Sequence, residues 1–312
     1  MSTSSRPEPP DPSRPFTRTQ ALAGGLTVRQ LNGRSYQRLH TGIYLGAGVP
    51  VTPLLAARAA LLPFGPAARA SHATAARVWG LPLPVMPDEH VTVEDRKARR
   101  SRPGIRCHSG PDRGVAIANG VRISDRLQTF VELGELLPLV DLVVVGDHLI
   151  RTTPTGLDEL RRHCAGSRHT GARNAATAAG HVRAAVDSPM ESRVRMLLVL
   201  AGLPEPTVNV TLRDEYGEPI RRYDLYYPHS CTAVEYDGRQ HIERIEQWEA
   251  DLARRQAIDD DGDRIIVLTA KSIYTWPART LETIHRVLLT RGEPAVPKRL
   301  DDRWRRHFAD RR

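Results

Sequence analysis

Tyr223-Asp224-Leu225-Tyr226-Tyr227-Pro228-His229-Ser230-Cys231-Thr232-Ala233-Val234-Glu235-Tyr236-Asp237-Gly238-Arg239-Gln240-His241 is the stretch on which the fold of this chain turns. Aromatic and β-branched residues flank a Pro-His-Ser break, so it reads as a tight β-hairpin. One strand runs to Tyr227, Pro228 to Ser230 form the turn, and Thr232 to Asp237 return. With the turn centred near His229, Asp224 and Glu235 fall opposite each other. Carboxylates facing across adjacent strands repel, at a cost of a few tenths to about 1 kcal/mol. Such a pair calls for positive charge, and a divalent cation prefers carboxylate oxygens. Side chains alternate along a strand, which sets Asp237 on the face of Glu235, with His241 following. Three carboxylates and an imidazole therefore converge at one end of the hairpin.

Each residue also has a plainer explanation. Asp224 and Glu235 sit near Arg221, Arg222 and Arg239, which suits surface ion pairs. Against that, Ala233, Val234 and Tyr236 give Glu235 the setting of a central strand, where a carboxylate is costly unless paired or metal-bound. Glu191 lies in a helix expected over Ser188 to Gly202. Ser188 at N-cap, Pro189 at N1 and Glu191 at N3 make a capping box, a structural role. Glu191 also shares a stripe with Val194, Leu198 and Ala201, which points it toward the packed side.

Asp224, ten intervening residues, and then Glu235-Tyr236-Asp237-Gly238-Arg239-Gln240-His241 resemble the core of the PD-(D/E)XK nuclease superfamily. The closer resemblance is to its very-short-patch-repair-like domain, over roughly residues 187 to 290. That resemblance implies a restriction-endonuclease-like mixed sheet and hydrolysis of phosphodiester bonds with Mg²⁺ or Mn²⁺. It implies catalytic roles for Glu191 as the helix acid, Asp224, Glu235, Gln240 and His241. It implies metal ligation by Asp224, Glu235 and Asp237, and phosphate contacts from Arg239 and Arg254. Asp251 and Arg254 resemble an Asp-x-x-Arg pair of the family; an ordinary surface ion pair accounts for them equally. One departure stands out. Asp237 occupies the place of the superfamily's usual lysine, for which Gln240, His241 or Lys271 are substitutes.

The surrounding pattern is a helix over Ile242 to Ile258, with Ile245, Trp248 and Leu252 on one face, then a buried strand from Ile265 to Thr269. A last helix runs from about Arg279 to Leu289 after Trp276-Pro277. Asp259 to Asp263 is a turn and not an EF-hand, because the outer ligand positions would be Ala257 and Leu268. Helix, strand, hairpin, helix, strand, helix is a mixed α/β order.

A second pattern opens the chain. Phe16 to Gly25 reads as a short helix ending in glycines, and Thr27 as the N-cap of a second, Val28 to Gly33. Tyr36 to Leu45 alternates like a strand pair turning at Thr41-Gly42. Two short helices and a β-ribbon make a winged helix-turn-helix. Arg29 and Arg34 sit where a recognition helix faces a major groove, and Arg38 on the ribbon. Solvation alone also explains these arginines, and winged helices serve in protein contacts too. The segment resembles the winged-helix domain of AbiEi-type antitoxins, which repress their own operon and neutralise a partner toxin. Ser71-His72-Ala73-Thr74-Ala75-Ala76 and Asp125-Arg126-Leu127-Gln128-Thr129 resemble further segments of such chains. Between Pro50 and Ala185 no catalytic constellation is visible; His72, His108 and His148 read as structural or exposed.

The expected class is α/β (α+β): a leader over 1–14 read as disordered, a winged-helix domain over 15–85, a middle domain and linker over 86–186, the nuclease-like domain over 187–290, and a basic tail over 291–312. The 312 residues carry a net charge of +9. It divides into +10 over 1–186, −5 over 187–290 and +4 beyond. A basic front beside an acidic rear suits DNA as partner and a metal at the rear. Cys107, Cys164 and Cys231 show neither zinc nor disulfide spacing, which fits a reducing cytoplasm. Arginine far outnumbers lysine, as in a high-GC bacterial gene. No apolar run reaches transmembrane length. The expectation is a bacterial DNA-binding endonuclease. Its alternative is an antitoxin-like regulator with an inactive nuclease fold, a toxin or a repair or defence protein being a further partner.

Overall fold

The computed structural model describes residues 8–100, 102–238 and 262–308. The chain is of the α/β class and divides into two compact units. One comprises Met1–Leu137 and Asp158–Ala176, the other Pro138–Leu157 and Thr177–Arg312.

In the first unit, β1 (Phe16–Thr17) leads into α1 (Arg18–Ala23) and α2 (Val28–Leu31), followed by β2 (Tyr36–His40) and β3 (Ile43–Gly46). The strands form an antiparallel sheet in the order β1-β3-β2. Thr17 and Thr27 each cap a helix, with Gln20 and Gln30 closing the capping boxes. Such caps offset orphan N–H groups and are worth about 1 kcal/mol each. The turns need left-handed backbone, and glycine supplies it at Gly25 (φ 83°) and Gly42 (φ 76°). Phe16, Ala21, Leu31 and Tyr44 form the core beneath. The described part of the expected leader makes contacts: the Pro12 carbonyl accepts the Gly46 N–H at 2.8 Å.

Next come α3 (Pro53–Leu61), β4 (Arg69–Ala70), α4 (His72–Val78), β5 (Glu89–Val93), β6 (Ile105–Ser109), β7 (Val115–Ala118), β8 (Val121–Ser124) and α5 (Arg126–Leu133). The strands form one mixed sheet in the order β6-β5-β4-β8-β7. Ala57, Ala60, Ala70, Ala75, Val91, Ile105 and Ile123 fill its cores. Of the three histidines read as structural or exposed, His72 is buried, and His108 and His148 are half-buried.

The second unit contains α6 (Leu139–Thr152); α7 (Leu157–Gly166) and α8 (Ala172–His181) connect the units in sequence. Then follow α9 (Pro189–Leu200), β9 (Thr207–Arg213), β10 (Pro219–Tyr227), β11 (Thr232–Tyr236), β12 (Arg264–Leu268), α10 (Ala270–Tyr274) and α11 (Pro277–Thr290). The sheet order is β12-β11-β10-β9. β9, β10 and β11 are an antiparallel meander, and β12 runs parallel to β11. α6 joins this unit because it packs on α9. Asp147 is the buried link: it accepts from Arg195 at 2.9 Å, Ser192 Oγ at 2.7 Å and the Arg183 N–H at 2.7 Å. Burial raises the Asp147 carboxyl above its ordinary value, and Arg195 opposes that shift. The tail segment packs as well, with Trp304 and Phe308 buried. Among the described residues no helix is long and apolar enough to cross a membrane.

Candidate active site

β10 and β11 pair through Leu225↔Val234, Tyr226↔Ala233 and Tyr227↔Thr232, enclosing a loop of Pro228 to Cys231. Carried one residue further, this register sets Asp224 opposite Glu235. The ladder changes character there: the Tyr236 N–H donates to Asp224 Oδ2 at 3.0 Å. Asp237 continues the edge against β12, its N–H donating to the Leu268 carbonyl at 2.8 Å. Asp224, Glu235 and Asp237 are all half-buried. None is without a polar or electrostatic partner.

On the other side of β10, the pairs Tyr223↔Val210 and Leu225↔Val208 bracket Asp224, setting it beside Asn209 of β9. Asn209 has φ 50°, a left-handed conformation that Asn tolerates better than most side chains. Its side chain donates to Glu191 Oε2 at 3.0 Å and to the Ala185 carbonyl. Asn209, Asp224 and Glu235 therefore form one row across three strands, and Asn209 fastens Glu191 of α9 to that row.

Glu191 also serves its helix. Ser188 Oγ accepts from the Glu191 N–H at 3.2 Å, as a cap should. The Glu191 carboxylate reaches back to the Asp187 N–H at 3.0 Å, one residue before the N-cap. Both of its hydrogen bonds end on Oε2. Oε1 has no hydrogen-bond partner among the described residues, so the two explanations for Glu191 are compatible.

The neighbouring arginines have their own contacts. Arg222 pairs with Asp187, and Arg221 donates to the Tyr223 hydroxyl at 3.0 Å. Beneath, Tyr223 and Tyr226 each donate to the buried Asp263 at 2.8 Å, just ahead of β12. Lys271 is exposed in α10. Arg239, Gln240, His241, Asp251 and Arg254, with the helix expected over Ile242 to Ile258, lie outside the described residues. In the first unit, Arg29 on α2, Arg34 beyond it and Arg38 on β2 are exposed.

No protein-family model matches this chain, and no curated protein matches it. The case for a function therefore rests on the geometry. Asp224 and Glu235 lie on adjacent strands, and Asn209 ties Glu191 of the preceding helix to their row; carboxylate oxygens are the donors that hard cations prefer. Among the described residues, the groups whose ligand atoms all lie within 4.8 Å of one another are elsewhere, in the first unit. Sequence reasoning missed Asn209. Thr207-Val208-Asn209-Val210 reads as plain strand, and only the backbone shows that Asn209 departs from it.

Proposed function

We propose that this chain is a DNA-binding bacterial protein whose second unit is a metal-dependent endonuclease of the PD-(D/E)XK type. The observation that carries the reading is the row Asn209–Asp224–Glu235 with Glu191 fastened to it. The topology supports it: one helix, a three-stranded meander, and a fourth strand parallel to the third.

In this reading Asp224 and Glu235 would hold Mg²⁺ or Mn²⁺, with Asp237 and Glu191 as further candidate ligands. A bound divalent ion lowers the pKa of its water and neutralises charge building on the phosphate. Asp224 is preset by its hydrogen bond from Tyr236, so ligation costs little reorganisation. Asn209 holds Glu191 Oε2, which leaves Oε1 for the cation or its water. Gln240 or His241 would orient the attacking water or the phosphate, and Arg239 and Arg254 would pair with flanking phosphates.

In the first unit, α1, α2 and the β2–β3 ribbon have the elements of a winged helix. Arg29, Arg34 and Arg38 would contact the DNA backbone or grooves. Covalent tethering of that module raises the concentration of DNA at the acidic row. Free cysteines, two of them buried, fit work in a reducing cytoplasm.

A second reading rests on Asp237. With an acid in place of the usual lysine, the fold suits an antitoxin-like regulator that binds DNA and a toxin or a repair or defence partner without cutting. Cleavage of plasmid DNA with Mg²⁺ or Mn²⁺ separates the two. Nicking lost in Asp224→Ala and Glu235→Ala establishes the nuclease. Gel-shifted but uncut DNA establishes the regulator.

A further inference from the structure

The first unit gathers four histidines that are far apart in sequence. His72 opens α4, His90 lies on β5, His108 on β6, and His169 precedes α8. His90 Nδ1 and His108 Nε2 are 3.0 Å apart. The His72 ring stacks on that of His108 with centroids 3.8 Å apart. Ligand atoms of His72, His90 and His108 all lie within 4.8 Å of one another, and so do those of His72, Glu135 and His169. His72 and His90 are each 1% exposed.

Packing alone leaves two features unexplained. His72 Nε2 is buried with no hydrogen-bond partner among the described residues, and it faces Glu135 Oε2 at 3.7 Å. An unpaired polar atom in such a place is costly. His72 also has φ 48°, left-handed backbone that is uncommon outside glycine and that histidine adopts more readily than most side chains. That backbone is fixed in place: the buried Glu132 accepts the His72 N–H at 2.9 Å and is further held by Ser124 Oγ and Gln128.

We propose that His72, His90, His108 and Glu135 form a site for a divalent cation of the zinc class. Imidazole nitrogens with one carboxylate suit Zn²⁺. A tetrahedral ion about 2.0–2.1 Å from each nitrogen separates them by roughly 3.3 Å. His90 and His108 share a hydrogen bond across 3.0 Å, so a cation would replace its proton and widen the gap slightly, and the His72 ring, stacked on His108 at 17°, would tilt to aim its nitrogen at the same point. His72 Nδ1 lies 3.0 Å from Ser71 Oγ, and donation to that hydroxyl turns the Nε2 lone pair toward the cation. His169 is a positioning residue. Its Nδ1 accepts the Gly171 N–H at 3.1 Å, so Nε2 carries the proton and faces Glu135. Thr170 also donates to Glu135, at 2.9 Å. The two groups share His72, so the three imidazoles are the core of the site, and Glu135, 3.7 Å from His72 Nε2, would swing in to complete it; four ligands would make a closed, structural site that ties α4, β5, β6 and the segment after α5 together.

The test uses full-length chain carrying Asp224→Ala and Glu235→Ala, which removes the acidic row of the second unit as a competing site. After dialysis against chelator it is titrated with Zn²⁺ and, for spectroscopy, Co²⁺. The expected result is one equivalent bound per chain, visible d–d absorption of four-coordinate Co²⁺, and a higher Tm with Zn²⁺. In the same background, His108→Ala abolishes the Co²⁺ spectrum. Glu135→Gln, at a partly exposed position that leaves the fold intact by circular dichroism, weakens Zn²⁺ at least tenfold. Folded protein that binds no stoichiometric Zn²⁺ overturns the proposal. So does Zn²⁺ affinity that Glu135→Gln leaves unchanged.

Discussion

Asn209 Nδ2 donates to Glu191 Oε2 at 3.0 Å, which joins the first turn of α9 to the strand beside Asp224. The helix acid is thereby set from two directions, by its own cap and by a neighbouring strand. The substitution Glu191→Gln keeps an acceptor for the Asn209 and Asp187 donors and removes the charge. Stability should change by less than about 1 kcal/mol, the scale of a single cap. Cleavage should fall about 10²–10³-fold, the usual loss for one electrostatic group at a reacting centre. Urea unfolding and plasmid nicking on the same preparation check both.

Asn209→Gly separates backbone from side chain. Glycine accepts φ 50° without strain, so the strand keeps its shape while Glu191 loses a donor. Nicking should drop by roughly 10–100-fold, as for a misplaced catalytic group, with DNA affinity unchanged. Asn209→Ala adds left-handed backbone strain of about 1–2 kcal/mol and should also lower the melting temperature. Unchanged nicking in Asn209→Gly would remove Asn209 from the site.

Arg195→Met should strand a buried carboxylate. Arg195 and Asp147 are 0% and 1% exposed at a separation of 2.9 Å. Loss of one partner from such a pair costs about 3–5 kcal/mol. The chemical-denaturation midpoint of the second unit should fall accordingly.

In the first unit, Arg29→Ala, Arg34→Ala and Arg38→Ala should each weaken DNA binding across sequences. Each should also lower the salt dependence by about one unit of slope if it meets a phosphate. Surface positions of this kind change stability by under about 0.5 kcal/mol, so circular dichroism should stay constant. Fluorescence anisotropy at several salt concentrations reads the slope.

Burial pushes the Cys164 thiol up from 9.0 to about 11. The thiolate is the reactive species, so native protein at neutral pH should resist alkylation at Cys164 and react there once unfolded. The folded value lies above the unfolded one. The stability gained from a neutral thiol is therefore complete below about pH 9 and is lost as pH rises through about 11. Peptide mass mapping after native and denatured labelling checks the first point, and alkaline unfolding the second.

Much of this arrangement is legible in the sequence because it is local. Thr27 and Ser188-Pro189 announce their helices through caps, whereas the first helix, expected from Phe16, begins only at Arg18, because Phe16–Thr17 pairs as a strand and Thr17 is the cap. The Pro228-His229-Ser230 break between aromatic and β-branched runs sets the register that brings Asp224 opposite Glu235. What stays hidden depends on residues far apart in the chain. Nothing near α6 says that Asp147 waits for Arg195, 48 residues on. His72, His90, His108 and His169 have no short ligand spacing, and they meet only because β5 and β6 pair and α4 packs beside them. Asn209 is hidden differently: its role lies in a left-handed backbone angle that a strand-like sequence does not announce.

The most direct measurement is nicking of supercoiled plasmid by the full chain with Mg²⁺ or Mn²⁺ and with chelator, beside Asp224→Ala and Glu235→Ala. The account predicts metal-dependent nicking by the wild type that both substitutions abolish, with DNA still bound. Well-folded wild type that shifts DNA yet nicks nothing with either metal would contradict it.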